Sequence, residues 1–238
     1  GDMSLEYISA NAPVRAPASE VLIGGGRVYE MITALYGRML ALALIAVLAP
    51  LWLVIAALIK ATSPGPVLFR MPIIGRGGRA FTYYKFRTMK TGGDNGEHQK
   101  WIRSFVQSDK PYARDEAGAP IYKMTNDPRV TRVGRWLRRA SLDEMPQLLN
   151  VLRGEMNIIG PRPPVAYEYG LYGPRERARL AVKPGMTGLY QVRKRGRASF
   201  SEMLELDLEY VRLRSLWLDL QIALRTPRAI LHGEVIGP

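Results

Sequence analysis

Cysteine is absent from this 238-residue sequence. Its absence removes disulfides, thiolate metal sites and cysteine nucleophiles together, and it fits a reducing compartment. Histidine is nearly absent: His98 and His232 are the only two, too few and too far apart for a histidine-rich zinc site. A metal ion would therefore be oxygen-ligated, which favours Mg²⁺ or Mn²⁺. Acidic charge is scarce as well. Asp and Glu total 21 against 34 Lys and Arg, a net +13. Residues 1–38 hold three basic and four acidic groups, so the remainder carries +14. A body this basic implies a polyanionic neighbour, whether nucleic acid, anionic lipid or a phosphorylated substrate, and composition does not choose among them. With 47% hydrophobic residues a core can form, and the length suits one domain with at most a small appendage. No internal repeat is present.

Residues 1–27 are small and polar, with Pro13, Pro17 and Gly24–Gly26, and read as a flexible tail. Residues 39–59, MLALALIAVLAPLWLVIAALI, are 21 residues without a charge. As a helix they reach roughly 30 Å, about the thickness of a bilayer's hydrocarbon core. Pro50 near the middle removes a helical hydrogen bond and predicts a kink. Two shapes are open: a kinked single span, or a re-entrant hairpin that dips into the membrane and returns. Arg27 and Arg38 precede the run, and Lys60, Arg70, Arg76, Arg79, Lys85 and Arg87 follow it. Basic residues on both sides suit two cytoplasmic ends, although the excess lies on the second flank. Beyond it, VLF and AFTYYKFRTM read as two strands separated by the GRGG turn. Residues 91–120 are hydrophilic and glycine-bearing and read as a mobile loop. Residues 128–153 hold two helical stretches around a break at Ala140-Ser141, 154–199 read mostly as loop, and 200–224 are helical in pattern. Tyr210 and Trp217 suit a lipid interface.

The sharpest segment is SLDEMPQLLNVLRGEMNIIGPRP, residues 141–163. Pro146 is tolerated only in a first helical turn, so the helix begins near Asp143. The plain reading of Asp143 and Glu144 is then ordinary capping, since acids favour that end. The functional reading is a nucleophilic carboxylate kept ionised by the helix dipole, beside a neighbour able to hold a divalent cation that screens phosphate. Arg129, Arg132, Arg135, Arg138 and Arg139 wind around a short helix, as a solvated or headgroup-facing stripe or as a source of one or two phosphate ligands. Lys85 and Arg87 alternate along a strand end, which a solvated edge explains equally well. Arg193-Lys194-Arg195-Gly196-Arg197 is a dense basic loop that suits RNA, DNA or lipid headgroups.

The block NDPRVTRVGRWLRRASLDEMPQLLNVLRGEMNIIGPRP resembles the bacterial sugar transferase family, the small monotopic phosphoglycosyl transferases. SPGPVLF, YYKFRTM, KPGMTGLYQV and LDLEYVRLRSLWLDL resemble it too, in the family's order, over about residues 30–230. The resemblance implies an α+β, mostly helical fold: a re-entrant membrane helix over 28–61, bent at Pro50, and a catalytic domain over 62–238 with short strands and interfacial amphipathic helices. It implies transfer of a sugar-1-phosphate from a UDP-sugar to polyprenyl phosphate through a covalent phosphosugar on Asp143. Glu144 is then implied to support Mg²⁺ together with Asp143. Lys85, Arg87, Arg138, Arg162 and Arg195 become substrate-binding candidates. Arg162 stands out, because prolines on both sides fix its backbone and an arginine fork matches phosphate oxygens bidentately. The implied place is the cytoplasmic face of a bacterial inner membrane, with phospholipid and not nucleic acid as the partner. Three positions depart from the family's pattern. Met71-Pro72-Ile73 replaces a Gln-x-Arg, Ala41 stands where an acid often opens the membrane helix, and Lys194-Arg195 replaces a Gly-Arg.

Overall fold

The computed structural model describes residues 22–90, 96–122, 124, 127–194 and 196–231. Most of the tail expected over 1–27 lies outside these residues, as does Arg195.

The first element is a 37-residue helix, α1, Gly26–Thr62. It starts after Gly25, whose φ of 86° suits glycine, and it ends at Ser63 because Pro64 cannot extend it. Tyr29, Thr33, Gly37, Ala41, Ile55 and Ile59 are its buried residues. At about 100° per residue all six fall on one third of the helix circumference, so one face lies against the domain along the whole length. The opposite face exposes Val28, Met31, Leu35, Leu42 and Leu53. The helix is continuous through Pro50. The packing explains why. Ala41, Leu44 and Ile45 share a cluster with Leu148 and Val151, while Ile55 and Ile59 share another with Phe86 and Leu137. Both halves are thus held to one body, which outweighs the single hydrogen bond that proline removes.

Strands β1 (Leu68–Ile74) and β2 (Ala80–Phe86) form an antiparallel hairpin that pairs Leu68 with Phe86 and Ile74 with Ala80. The Met71-Pro72-Ile73 departure lies in β1. Ile73 is buried and Met71 packs against the same cluster as Ala41, so two of the three departing positions are filled by core side chains. Ala41 is itself fully buried, where an acid would be stranded.

Of the stretch expected as a mobile loop over 91–120, residues 91–95 lie outside the described residues and 96–120 are ordered. They contain helix α2 (Gly96–Ser108) and strand β3 (Ala113–Arg114), which pairs with β4 (Pro120–Ile121). Helix α2 turns Trp101, Ile102, Phe105 and Val106 inward, and Phe105 meets Phe200 edge-on at 5.6 Å. Its polar outer face masked that apolar stripe.

Helix α3 (Arg132–Arg139) and a 3₁₀ turn (Leu142–Gln147) follow, leading into α4 (Leu148–Arg153). The expected break at Ala140-Ser141 is present, with Ser141 in the left-handed region at φ 55°. Residues 154–199, expected as mostly loop, include the parallel strands β5 (Asn157–Ile159) and β6 (Gly185–Thr187) and several short helices. The expected single helix from 200 onward is two: α5 (Phe200–Leu213), opened by a capping box at Ser199, and α6 (Leu216–Leu231). Trp217 is exposed, as a lipid-facing residue would be. Tyr210 is not: its hydroxyl is buried among Asp219, Tyr29 and the Ile159 carbonyl. A phenol with that many partners inside the fold is a core residue.

Candidate active site

Four segments converge on the SLDE motif. Thr131 caps α3 by accepting a hydrogen bond from the Gly134 amide at 2.9 Å. Gly134 is required because a Cβ there would stand 2.1 Å from the Thr88 carbonyl oxygen. That close approach brings α3 onto the end of β2, and Arg138 Nε donates to Thr88 Oγ1 at 3.0 Å. Burial works against the Arg138 charge, and the largest counterweight to it is Asp143, followed by Asp127.

The left-handed turn at Ser141 then reverses the chain and places Asp143 and Glu144 in the first turn of the 3₁₀ segment. Asp143 is only 8% exposed. Glu144 accepts an ion pair from Lys85 Nζ at 2.8 Å, and the two side chains remain 41% and 27% exposed. Burial disfavours the Lys85 ammonium, but Glu144, Tyr83 and Asp143 more than offset this and hold its pKa above the ordinary lysine range. The ammonium also lies 5.5 Å from the centre of the buried Tyr83 ring.

Arg162 reaches the same neighbourhood from the GPRP turn. Gly160 and Gly185 bring that turn against KPGMTG: a Cβ on Gly185 would stand 2.0 Å from the Gly160 nitrogen. The Gly160 amide donates to Thr187 at 2.9 Å and the Gly185 amide to Pro161 at 3.0 Å. The Arg162 side chain is 32% exposed, and its guanidinium is gripped from one side, where Nη1 donates to both oxygens of Glu168 at 3.1 and 3.2 Å. Glu168 is fully buried and accepts from Tyr172 Oη at 2.6 Å. Arg179 donates to the Tyr172 hydroxyl at 3.1 Å and to the Arg162 carbonyl at 2.7 Å, and it is ion-paired with Asp207. Arg162 shares an electrostatic neighbourhood with Asp143, Glu144 and Lys85 around Tyr83.

A second wall is aromatic. His98 of α2 shares a hydrogen bond with the Tyr167 hydroxyl and stands edge-on to Trp101, 5.1 Å between ring centres. Burial, reinforced by Arg162, pushes the His98 pKa down to about 4, so the imidazole is neutral near pH 7. Asp127 and Arg129 are joined by a fork of hydrogen bonds, the shortest 2.6 Å, and both act electrostatically on His98.

Of the residues singled out in the sequence, Asp143, Glu144, Lys85, Arg138 and Arg162 are brought together. Arg87 is committed elsewhere: its guanidinium donates to the carbonyls of Ser63, at 2.8 Å, and Pro64, at the end of α1. Arg193 and Lys194, beside Arg195, are paired with Glu209 and Glu202. Among the described residues no group of three or more metal-ligating His, Cys, Asp or Glu side chains forms. Asp143 and Glu144 nevertheless offer an all-oxygen pair, which fits a hard divalent cation that keeps its water and completes its shell with phosphate oxygens. Tyr83, Asp127, Glu168 and Arg179 carry no role in the sequence reading, and Arg129 enters it only as one of a stripe of arginines. Asp127, Arg129 and Tyr83 lie inside the quoted motif blocks, the signal that marked them.

The sequence profile of a family described as bacterial sugar transferase matches residues 28–233. The chain belongs to that family. It is a transferase, of the phosphoglycosyl class. It is 42% identical over 189 residues to the exopolysaccharide production protein ExoY of Sinorhizobium fredii, covering 79% of this chain and 80% of that one. It is 40% identical over 201 residues to the UDP-glucose:undecaprenyl-phosphate glucose-1-phosphate transferase of Caulobacter vibrioides, covering 80% and 66%. The galactosyl transferase CpsE of Streptococcus agalactiae is 36% identical over 170 residues, but the match spans only 35% of that longer protein.

Proposed function

We propose that this transferase moves a sugar-1-phosphate from a UDP-sugar to polyprenyl phosphate through a covalent intermediate on Asp143, at the cytoplasmic face of the bacterial inner membrane. The observation that carries the reading is the placement of a nearly buried carboxylate at a helix start, with Lys85, Arg138 and Arg162 converging around it. A carboxylate attacking a diphosphate meets like charge, and these cations offset the repulsion.

In the first step an Asp143 oxygen forms a bond to the phosphorus that bears the sugar. The bond from that phosphorus to the bridging oxygen breaks, and UMP leaves with the electron pair. In the second step a phosphate oxygen of the polyprenyl acceptor attacks the same phosphorus and displaces the Asp143 carboxylate, giving a polyprenyl diphosphate sugar. Lys85 orients Glu144 by their ion pair, and Arg162 presents the guanidinium edge turned away from Glu168 to the diphosphate. Asp143 and Glu144 would hold Mg²⁺, whose contribution is to screen the charge of the diphosphate.

Membrane attachment rests on α1, which is long and apolar enough to cross a bilayer and has little of that stretch buried. We place both its ends on one side. Gly24 is bonded to Val211 and Arg214, and the Ser63 carbonyl is held by Arg87, so each end is fastened to the same domain. That arrangement favours a re-entrant or surface-lying helix over a span, with Pro50 as the point where the chain would bend in lipid.

The test is the half-reaction without acceptor. Enzyme, Mg²⁺ and UDP-sugar should release about one equivalent of UMP and stop, and the protein mass should rise by one phosphosugar mapped to Asp143. Asp143→Asn should give neither. UMP release that requires the lipid acceptor, or normal turnover in Asp143→Asn, would sink the covalent route and return Asp143 to helix capping.

A further inference from the structure

A second cluster of cations stands well away from Asp143. Arg38 and Lys183 flank Gly154, at the C-terminal end of α4. The point where a Cβ on Gly154 would stand is 2.5 Å from Arg38 Nη2 and 3.7 Å from Lys183 Nζ. One small anion can therefore reach both. Arg76 joins them electrostatically. Neither Arg38 nor Lys183 makes a hydrogen bond or ion pair with an acid among the described residues. Glu30, the acid that acts electrostatically on Lys183, is already shared: it accepts from Arg76 at 3.1 Å and from Arg214 at 2.9 Å. Like charges are thus gathered around one point with their acid spoken for. Burial, then Arg38 and Arg76, pull the Lys183 pKa below its ordinary value, the mark of a cation short of a counter-charge.

Placement tells what the missing anion is. Arg76 sits in the turn between β1 and β2, and Lys85 lies five residues beyond the start of β2, roughly 17 Å along the strand. The cluster is therefore separate from the reacting diphosphate. Arg38 immediately precedes the apolar run of α1, and Leu35, Met39 and Leu42 around it are exposed. An anion bound here stands at an apolar boundary.

We propose that Arg38 and Lys183, backed by Arg76, form a site for the phosphate of an anionic phospholipid headgroup, seating the domain on the membrane beside α1. The inference rests on the membrane attachment proposed above. Its chemistry is a phosphate held by a guanidinium fork and an ammonium, with the acyl chains alongside the exposed face of α1.

The test is flotation of the full chain with vesicles of phosphatidylcholine, with or without phosphatidylglycerol, at physiological salt. The wild type should prefer the vesicles containing phosphatidylglycerol. The double variant Arg38→Gln/Lys183→Gln should lose roughly tenfold of that preference, keep its binding to phosphatidylcholine, and release UMP normally in detergent. A control of equal charge, Lys100→Gln/Arg103→Gln on α2, should retain the preference. The site is overturned if the control loses as much as the double variant, since the attraction is then diffuse charge. It is equally overturned if the double variant keeps the preference, if it fails to release UMP in detergent, or if millimolar inorganic phosphate abolishes the preference, which marks a site for a soluble anion. If the wild type floats with neither vesicle, the membrane reading falls, and this inference falls with it.

Discussion

Two ion pairs, one buried and one open to solvent, divide the work of the site's charges. Arg179 and Asp207 are both 0% exposed, inside a chain of partners running through Tyr172 and Glu168 to Arg162. Lys85 and Glu144 keep 27% and 41% of their side chains exposed. A closed pair cannot exchange its partner for a substrate without stranding a charge in low dielectric, so it serves as scaffold. An open pair can, because water or phosphate can take over either partner at little cost. The difference teaches that burial, more than residue type, separates charges that hold the site from charges that work in it. Arg162 bridges the two regimes, anchored on its buried side by Glu168 and partly exposed on the other.

The comparison breaks most visibly in stability. Arg179→Met should leave Asp207 uncompensated and destabilise the protein by about 3–5 kcal/mol, measured by chemical unfolding. The double variant Arg179→Met/Asp207→Leu should recover much of this, because the stranded charge is gone. A single variant as stable as wild type would mean the buried pair is no scaffold.

At the open pair the expected effect moves from stability to rate. Glu144→Gln should unfold within about 1 kcal/mol of wild type yet release UMP about a hundredfold more slowly, equivalent to about 2.7 kcal/mol. Equal losses in stability and rate would erase the distinction between the two pairs.

Arg162 tests the junction. Arg162→Lys keeps the charge but lacks a planar fork, and should cost about tenfold in kcat/KM, or about 1.4 kcal/mol. Glu168→Gln should cost severalfold, mainly by raising KM for the UDP-sugar, and should cost nothing further in the Arg162→Lys background. Independent losses in the two variants would show that Glu168 does not act through Arg162.

The last test is at His98, and it is read through pH. Its folded pKa of about 4 lies below the ordinary 6.5, so the neutral ring contributes stability that is complete above pH 6.5 and is lost as pH falls toward 4. His98→Gln should flatten that part of the pH–stability curve. An unchanged slope would remove His98 from the buried wall of the site.

Much of this was legible in the chain. A charge-free run of 21 residues reads as a helix despite Pro50, and Gly25 and Pro64 bound the longer helix that contains it. The β1–β2 hairpin follows from two apolar stretches around Gly75–Gly78, and the break at Ser141 from the proline five residues later, which confines the start of the next helix. Helix α2 was hidden, because a helix with one narrow apolar stripe looks like a polar loop until Phe200 and Tyr172 are there to receive it.

What the sequence determined by itself is local. It placed Asp143 beside Glu144 at a helix start, Arg162 between prolines, and an apolar helix ahead of a basic body, since each depends on neighbours a few residues away. The tertiary structure alone decided which charges face each other. Lys85 meets Glu144 across 59 positions and Arg214 meets Glu30 across 184, while Arg87, two residues from Lys85, turns to the carbonyls ending α1. Such choices are set by which backbone groups lack partners when the elements pack, and that information is distributed over the whole chain.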